Sequence, residues 1–192
     1  KMHFQLRNLG YAATAATRLT QVALIPEVGH ALNKWNAYSH RHGLKCVLIG
    51  GLALSFYAKP RATEDVDILF LELSDVPDTV PGFKRHRTMA FQEDDTHVEI
   101  ELVGHLTIDV PDALVKKVFA TAVNHDGLKV ASLEGMVALK LYGAANSTRR
   151  MHRDLADVVA MLERAPELDM SGWPLNIEHL TALENCRKHA KS

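Results

Sequence analysis

The segment VLIGGLALSFYAKPRATEDVDILF, Val47 to Phe70, has an apolar, strand-like start, a Gly50-Gly51 pair near its front and two aspartates one residue apart, Asp65 and Asp67, at its back. A core strand gains nothing from carboxylates, which lose hydration on burial. Side chains alternate along a strand, so Asp65 and Asp67 share one face while Val66, Ile68 and Phe70 take the other. Two carboxylates this close repel each other unless a cation lies between them, and hard oxygen donors suit Mg²⁺. On its own the pair also fits an exposed strand start. Gly50-Gly51 likewise has two readings: a turn whose N–H groups approach an anion, or a tight strand-to-helix junction with unusual dihedrals. No G-x-x-x-x-G-K-[ST] run is present, so the pair is not a P-loop.

Working outward, residues 19–42 read as a helix, with Leu24, Val28, Ala31, Leu32 and Trp35 at helical spacing, closed by Gly43 as C-cap. KCVLIG is a buried strand, GLALSFYA the helix leaving it, and DVDILFLEL a second strand behind Pro60. A polar loop spans Ser74 to Gly82. KRHRTMAFQ and HVEIELV read as two strands of a hairpin joined across EDD. DVPDALVKKVFATAV is a helix with Pro111 and acids at its start, where both are favoured. GLKVA is a short strand, and Ser132 is placed to cap the helix LEGMVALKLYGAA. Further helices cover about Arg150 to Leu162 and the tail after Pro166. The expected fold is mixed α/β (α+β): a small mixed sheet with a helical C-terminal part. Residues 1–130 would form the core with an N-terminal helical segment, and 131–192 the helical part that completes the cleft.

With 192 residues, 47% of them hydrophobic, the chain can bury a core without disulfides or a structural metal. Its two cysteines, Cys46 and Cys186, form no disulfide framework, so a cytoplasmic setting is expected. No stretch is apolar enough for a membrane span, and no signal-peptide pattern opens the sequence. The formal net charge of −1 carries no signature of duplex DNA readout. Local basic clusters, Lys84 to Arg87 and Arg149 to Arg153, read singly as solvated surface. The 11 histidines are scattered and show no zinc spacing.

In THVEIELVG the face with His97, Glu99 and Glu101 opposes Val98, Ile100 and Leu102, so this strand is either a half-exposed edge or the source of a third acid. Lys140 falls inside the apolar stripe Leu133, Met136, Val137, Leu141, Ala144. It either snorkels to the surface or points at an anion. Asp154 and Asp157 flank the stripe Met151, Leu155, Val158, Leu162 on a solvated shoulder, or one of them pairs with Lys140 or Arg153.

Together, IGGLAL, PRATEDVDIL, EIELV, VALKLYG and RRMHRDLADVVAML resemble the nucleotidyltransferase superfamily with the DNA polymerase-beta-like core. Within it they are most similar to the AbiEii-type abortive-infection toxins and related stand-alone nucleotidyltransferases. The likeness runs from about Lys45 to Leu162. It departs in having Glu where the third acid is usually Asp, and Arg153 where Lys is common. The resemblance implies that Asp65, Asp67 and Glu101, with Glu99 as fallback, bind two Mg²⁺ ions. Gly50 and Gly51 would hold the triphosphate of an NTP such as ATP, and Lys140 would contact its phosphates or the developing charge. Arg61 and Thr63 would assist, with Asp154 also in the nucleotide site. The implied activity is transfer of an NMP to an acceptor hydroxyl, RNA (a tRNA end) in a toxin-like role or a small molecule. Two alternatives stand beside it. One is a catalytically inactive nucleotide- and metal-binding module, or the protein partner of an antitoxin in a toxin–antitoxin pair. The other is an inert dimerising domain, which a Lys140–Asp154 bridge without an open cleft would mark.

Overall fold

The computed structural model describes residues 25–191. Part of the expected first helix, residues 19–24, lies outside the described residues. Helix α1 covers Pro26–His42 and begins where Pro26 has its preset φ and needs no N–H donor. It ends at Gly43, whose φ of 64° is left-handed.

Strand β1 (Cys46–Ile49) runs straight into a short helix α2 (Gly50–Leu54). The expected helix over GLALSFYA therefore stops at Leu54: the N–H groups of Ser55, Phe56 and Tyr57 reach carbonyls only three residues back. Strand β2 is Asp65–Phe70, followed by a single 3₁₀ turn at Leu73–Asp75. The expected strand KRHRTMAFQ is two strands, β3 (Phe83–Arg87) and β4 (Ala90–Glu93). The register shifts between Arg85 and Arg87, and the Arg85 guanidinium ties off the turn by donating to the carbonyls of Thr88 and Pro77, each at 2.7 Å. Strand β5 is Glu99–Val103.

Helix α3 covers Asp112–Thr121, shorter than its sequence pattern suggests. Thr121 turns its hydroxyl back on the Lys117 carbonyl at 2.9 Å, Ala122 is extended, and Val123 enters a strand instead. That strand, β6 (Val123–His125), pairs with β7 (Leu128–Val130). Helix α4 (Leu133–Asn146) is capped by Ser132 Oγ, which accepts from the Gly135 N–H at 3.1 Å. Helices α5 (Thr148–Arg164) and α6 (Ile177–Ala190) follow.

The strands form one seven-stranded mixed sheet, in the order β3-β4-β5-β2-β1-β7-β6. Trp35 of α1 is fully buried and meets Phe70, Phe83 and Phe91, with ring centroids 6.5, 5.9 and 6.0 Å away. Phe70 lies on the same side of β2 as Val66 and Ile68, so α1 covers the apolar face read from the sequence. The opposite side of β2 carries Asp65 and Asp67. Beyond it the C-terminal helical part packs α5 against both α4 and α6. No helix among the described residues is long and apolar enough to cross a membrane.

Candidate functional site

Parallel pairing of β2 with β5 sets Asp65 opposite Glu99 and Asp67 opposite Glu101. Antiparallel pairing of β1 with β2 sets Ile49 opposite Asp67, which delivers Gly50 to the side of that carboxylate. Asp65, Asp67 and Glu101 each offer a carboxylate oxygen, and these oxygens all lie within 4.8 Å of one another. Such a set of hard donors could hold a metal ion. Thr63 Oγ1 donates to Asp65 Oδ1 at 2.8 Å and orients it. Burial, then the charges of Asp65 and Glu101, push the Asp67 carboxyl up to about 7, against the pull of Lys140.

Glu99 faces the same way but is engaged elsewhere, pairing with Arg87 and lying 3.8 Å from His86 Nε2. The structure therefore groups Glu101, rather than Glu99, with the two aspartates.

Both glycines of the pair are demanded by neighbours. Gly50 has a φ of 70°, and a Cβ there would stand 1.7 Å from Asp67 Oδ2. A Cβ on Gly51 would meet Thr63 Oγ1 at 2.8 Å. The junction is thus a tight turn, and what approaches Gly50 closely is the carboxylate of Asp67.

The acids open into a cleft of about 410 Å³ between the sheet and helices α4 and α5, a size suited to a small ligand. Gly50, Gly51, Arg61, Thr63, Lys140 and Asp154 all line it. Lys140 does not snorkel: its Nζ lies 2.8 Å from Asp154 Oδ1 and 2.7 Å from Asp157 Oδ2. Asp157 also takes the Arg61 guanidinium in a two-pronged pair, Nε to Oδ1 and Nη2 to Oδ2, both 3.2 Å. Asp154 and Asp157 are buried, 3% and 5% exposed, and do not form the solvated shoulder that their position beside the apolar stripe suggests. Asp154 packs so closely on α4 that a Cβ at Gly143 would fall 2.6 Å from its Oδ2. The Lys140–Asp154 bridge is present, and the cleft beside it is open.

Sequence reasoning missed the outer wall. The loop residues Thr107, Ile108 and Asp109 line the cleft together with Asn146 and Ser147 at the end of α4. Asn146 Nδ2 donates to the Asp109 carbonyl at 2.6 Å, and Asp109 holds a left-handed φ of 51°. No local pattern marks these residues, because a loop's approach to a helix end depends on the whole chain path. The pairing of Arg61 with Asp157, 96 residues apart, is invisible for the same reason.

A second set of possible ligands, His30, Glu93 and Asp95, lies across the sheet edge. Lys34 already engages two of the three: it bonds Glu93 and lies 3.4 Å from Asp95 Oδ2. Burial alone would raise the Glu93 carboxyl, but Lys34 and Thr96 together hold it at about 2. That set is a structural ion pair.

No protein-family model matches the chain, and no curated protein matches it.

Proposed function

We propose that this protein is a Mg²⁺-dependent nucleotidyltransferase. The observation that carries the reading is the convergence of Asp65, Asp67 and Glu101 at the floor of a cleft also lined by Gly50, Gly51, Arg61 and Lys140. The three carboxylates fit divalent cations: they are hard donors, half-buried, and close enough that Asp67 holds its proton to about neutral pH without one. They would hold Mg²⁺, two ions by the resemblance, and the bound metal supplies charge neutralisation for a polyphosphate and acidifies a hydroxyl.

The chain's own residues do the rest. Thr63 fixes the rotamer of Asp65, and Gly50 leaves Asp67 room to sit against the β1–α2 turn. Arg61 and Lys140 present N–H donors to the cleft wall, held in place by their ion pairs with Asp157 and Asp154. The reaction forms a bond between the acceptor oxygen and the α-phosphorus of an NTP. It breaks the bond from that phosphorus to the bridging oxygen, pyrophosphate leaves, and the acceptor hydroxyl's proton passes to solvent.

A second reading, a nucleotide- and metal-binding module without turnover, is favoured by one observation. Lys140 and Arg61 are both already engaged by buried carboxylates, which lowers their pull on an incoming phosphate. The deciding experiment incubates the protein with Mg²⁺, each labelled NTP in turn and total RNA. Label on RNA, or pyrophosphate release, that disappears in Asp67→Asn supports transfer. Activity retained in that variant removes the assignment.

A further inference from the structure

The cleft does not end at the acids. Beyond Ser147 it adjoins a second hollow of about 440 Å³ lined by Ser147, Arg149, Arg150 and Arg153, and three of these four, Ser147, Arg150 and Arg153, line both spaces. The cations of the two spaces differ in kind. Arg61 and Lys140, on the acid side, are neutralised by Asp154 and Asp157. Arg149, Arg150 and Arg153 are exposed, and none has a carboxylate partner among the described residues. Asp154, next to Arg153 in sequence, is turned inward to Lys140.

Three unpaired guanidinium groups around one hollow repel one another, and their planar forks of N–H donors suit an anionic partner rich in acceptor oxygens, such as a phosphate group. A cationic acceptor, such as an amine-rich small molecule, would be repelled from the same place.

We propose that this arginine-lined hollow is the acceptor subsite and takes a phosphate group carried by the acceptor, close to the hydroxyl that enters the acid cleft. The inference rests on the nucleotidyltransferase reading and deepens it, since it selects a phosphate-bearing acceptor over a neutral or cationic one. Two sources offer that chemistry, the phosphodiester end of a single-stranded RNA and a phosphorylated small molecule.

The test compares the full chain with the triple variant Arg149→Gln, Arg150→Gln, Arg153→Gln. All three side chains are exposed, and thermal melting checks that the fold is kept. Three probes are titrated: a fluorescent single-stranded RNA oligonucleotide across a range of salt, ribose 5-phosphate as ligand and competitor, and a fluorescent NTP with Mg²⁺. The expected result is an about tenfold or greater loss of affinity for the phosphate-bearing acceptor probe, with the salt slope for RNA flattened by roughly 2, and NTP affinity kept. Loss for RNA without competition by ribose 5-phosphate identifies a nucleic-acid end. Loss for ribose 5-phosphate, with competition, identifies a small phosphorylated acceptor.

If the variant loses NTP affinity and keeps both acceptor probes, the arginines serve the nucleotide and the proposal is overturned. No change with any probe overturns it as well. Where NTP binding is intact and depends on Asp67 but the arginines have no effect, this inference alone falls. Where the unaltered protein binds no NTP with Mg²⁺, the nucleotidyltransferase reading falls and takes the acceptor assignment with it.

Discussion

Gly50 and Asp67 share one volume: the space a Cβ would fill at Gly50 lies 1.7 Å from Asp67 Oδ2, and the backbone there has a φ of 70°. The two ends of the segment that decides the fold are therefore in contact across β1 and β2. Gly50→Ala should cost about 1–3 kcal/mol for the left-handed backbone alone. It should also push the Asp67 carboxylate away from Asp65 and Glu101. The expected outcome is a protein that folds with a lowered Tm and binds Mn²⁺, as a paramagnetic substitute for Mg²⁺, much more weakly. Unchanged Mn²⁺ affinity would show that Asp67 is not positioned by this turn.

Asp67 also makes stability depend on pH. Its folded carboxyl is raised to about 7, so between the ordinary carboxylate range and neutrality the folded protein holds a proton that the unfolded chain has lost. This contribution is fully present below the unfolded value and is lost as pH rises through about 7. Metal-free protein should thus lose Tm from acid toward pH 8, and Mg²⁺ should restore more Tm at pH 8 than at pH 5. Asp67→Asn should remove most of both effects. Equal Mg²⁺ shifts at the two pH values would contradict the assignment of the acids as a metal site.

Asp157 holds two cations from one buried position, Arg61 at 3.2 Å and Lys140 at 2.7 Å. Asp157→Asn leaves both without their shared counter-charge, a change of about 3 kcal/mol when buried pairs are broken. Chemical denaturation should show a lowered midpoint with an unchanged m-value. Asp157→Glu should recover part of the loss. A midpoint equal to that of the unaltered protein would show that Asp154 alone anchors Lys140.

His179 gives a pH effect of the opposite sign. Its Nδ1 accepts from the Asn176 N–H at 3.3 Å while Asn176 caps the His179 N–H at 3.0 Å, and burial holds the imidazole below its ordinary range. Because the folded form resists protonation, this contribution is present above the unfolded histidine value and fades as pH falls through the ordinary range. Amide protection factors in the first turn of α6, corrected for the intrinsic slowing of exchange in acid, should fall under mildly acidic conditions, and less so in His179→Gln. Uniform protection across that range would exclude the effect.

Much of the architecture is legible locally. Pro26 and Gly43 delimit α1, and the alternation in DVDILF assigns one face to α1 and the other to carboxylates. Ser132 caps α4. Each depends on dihedral preferences or side-chain periodicity within a few residues. The splitting of KRHRTMAFQ into two strands and the loss of Val123 from α3 were not legible, because both follow from particular side-chain-to-backbone bonds, Arg85 to the Thr88 carbonyl and Thr121 to the Lys117 carbonyl, which hydrophobic periodicity does not register.

The sequence by itself determined that carboxylates at 65, 67, 99 and 101 would lie on polar strand faces and that Lys140 would fall within an apolar helical stripe. Only the tertiary structure decided which of them meet. The parallel register of β2 and β5 set Glu101 beside Asp67 while Arg87 claimed Glu99, and the packing of α5 on α4 buried Asp154 and Asp157 against Lys140. A carboxylate's role depends on which charge stands within a few ångströms of it. That distance is set by strand pairing and helix packing across the whole chain, which no local pattern encodes.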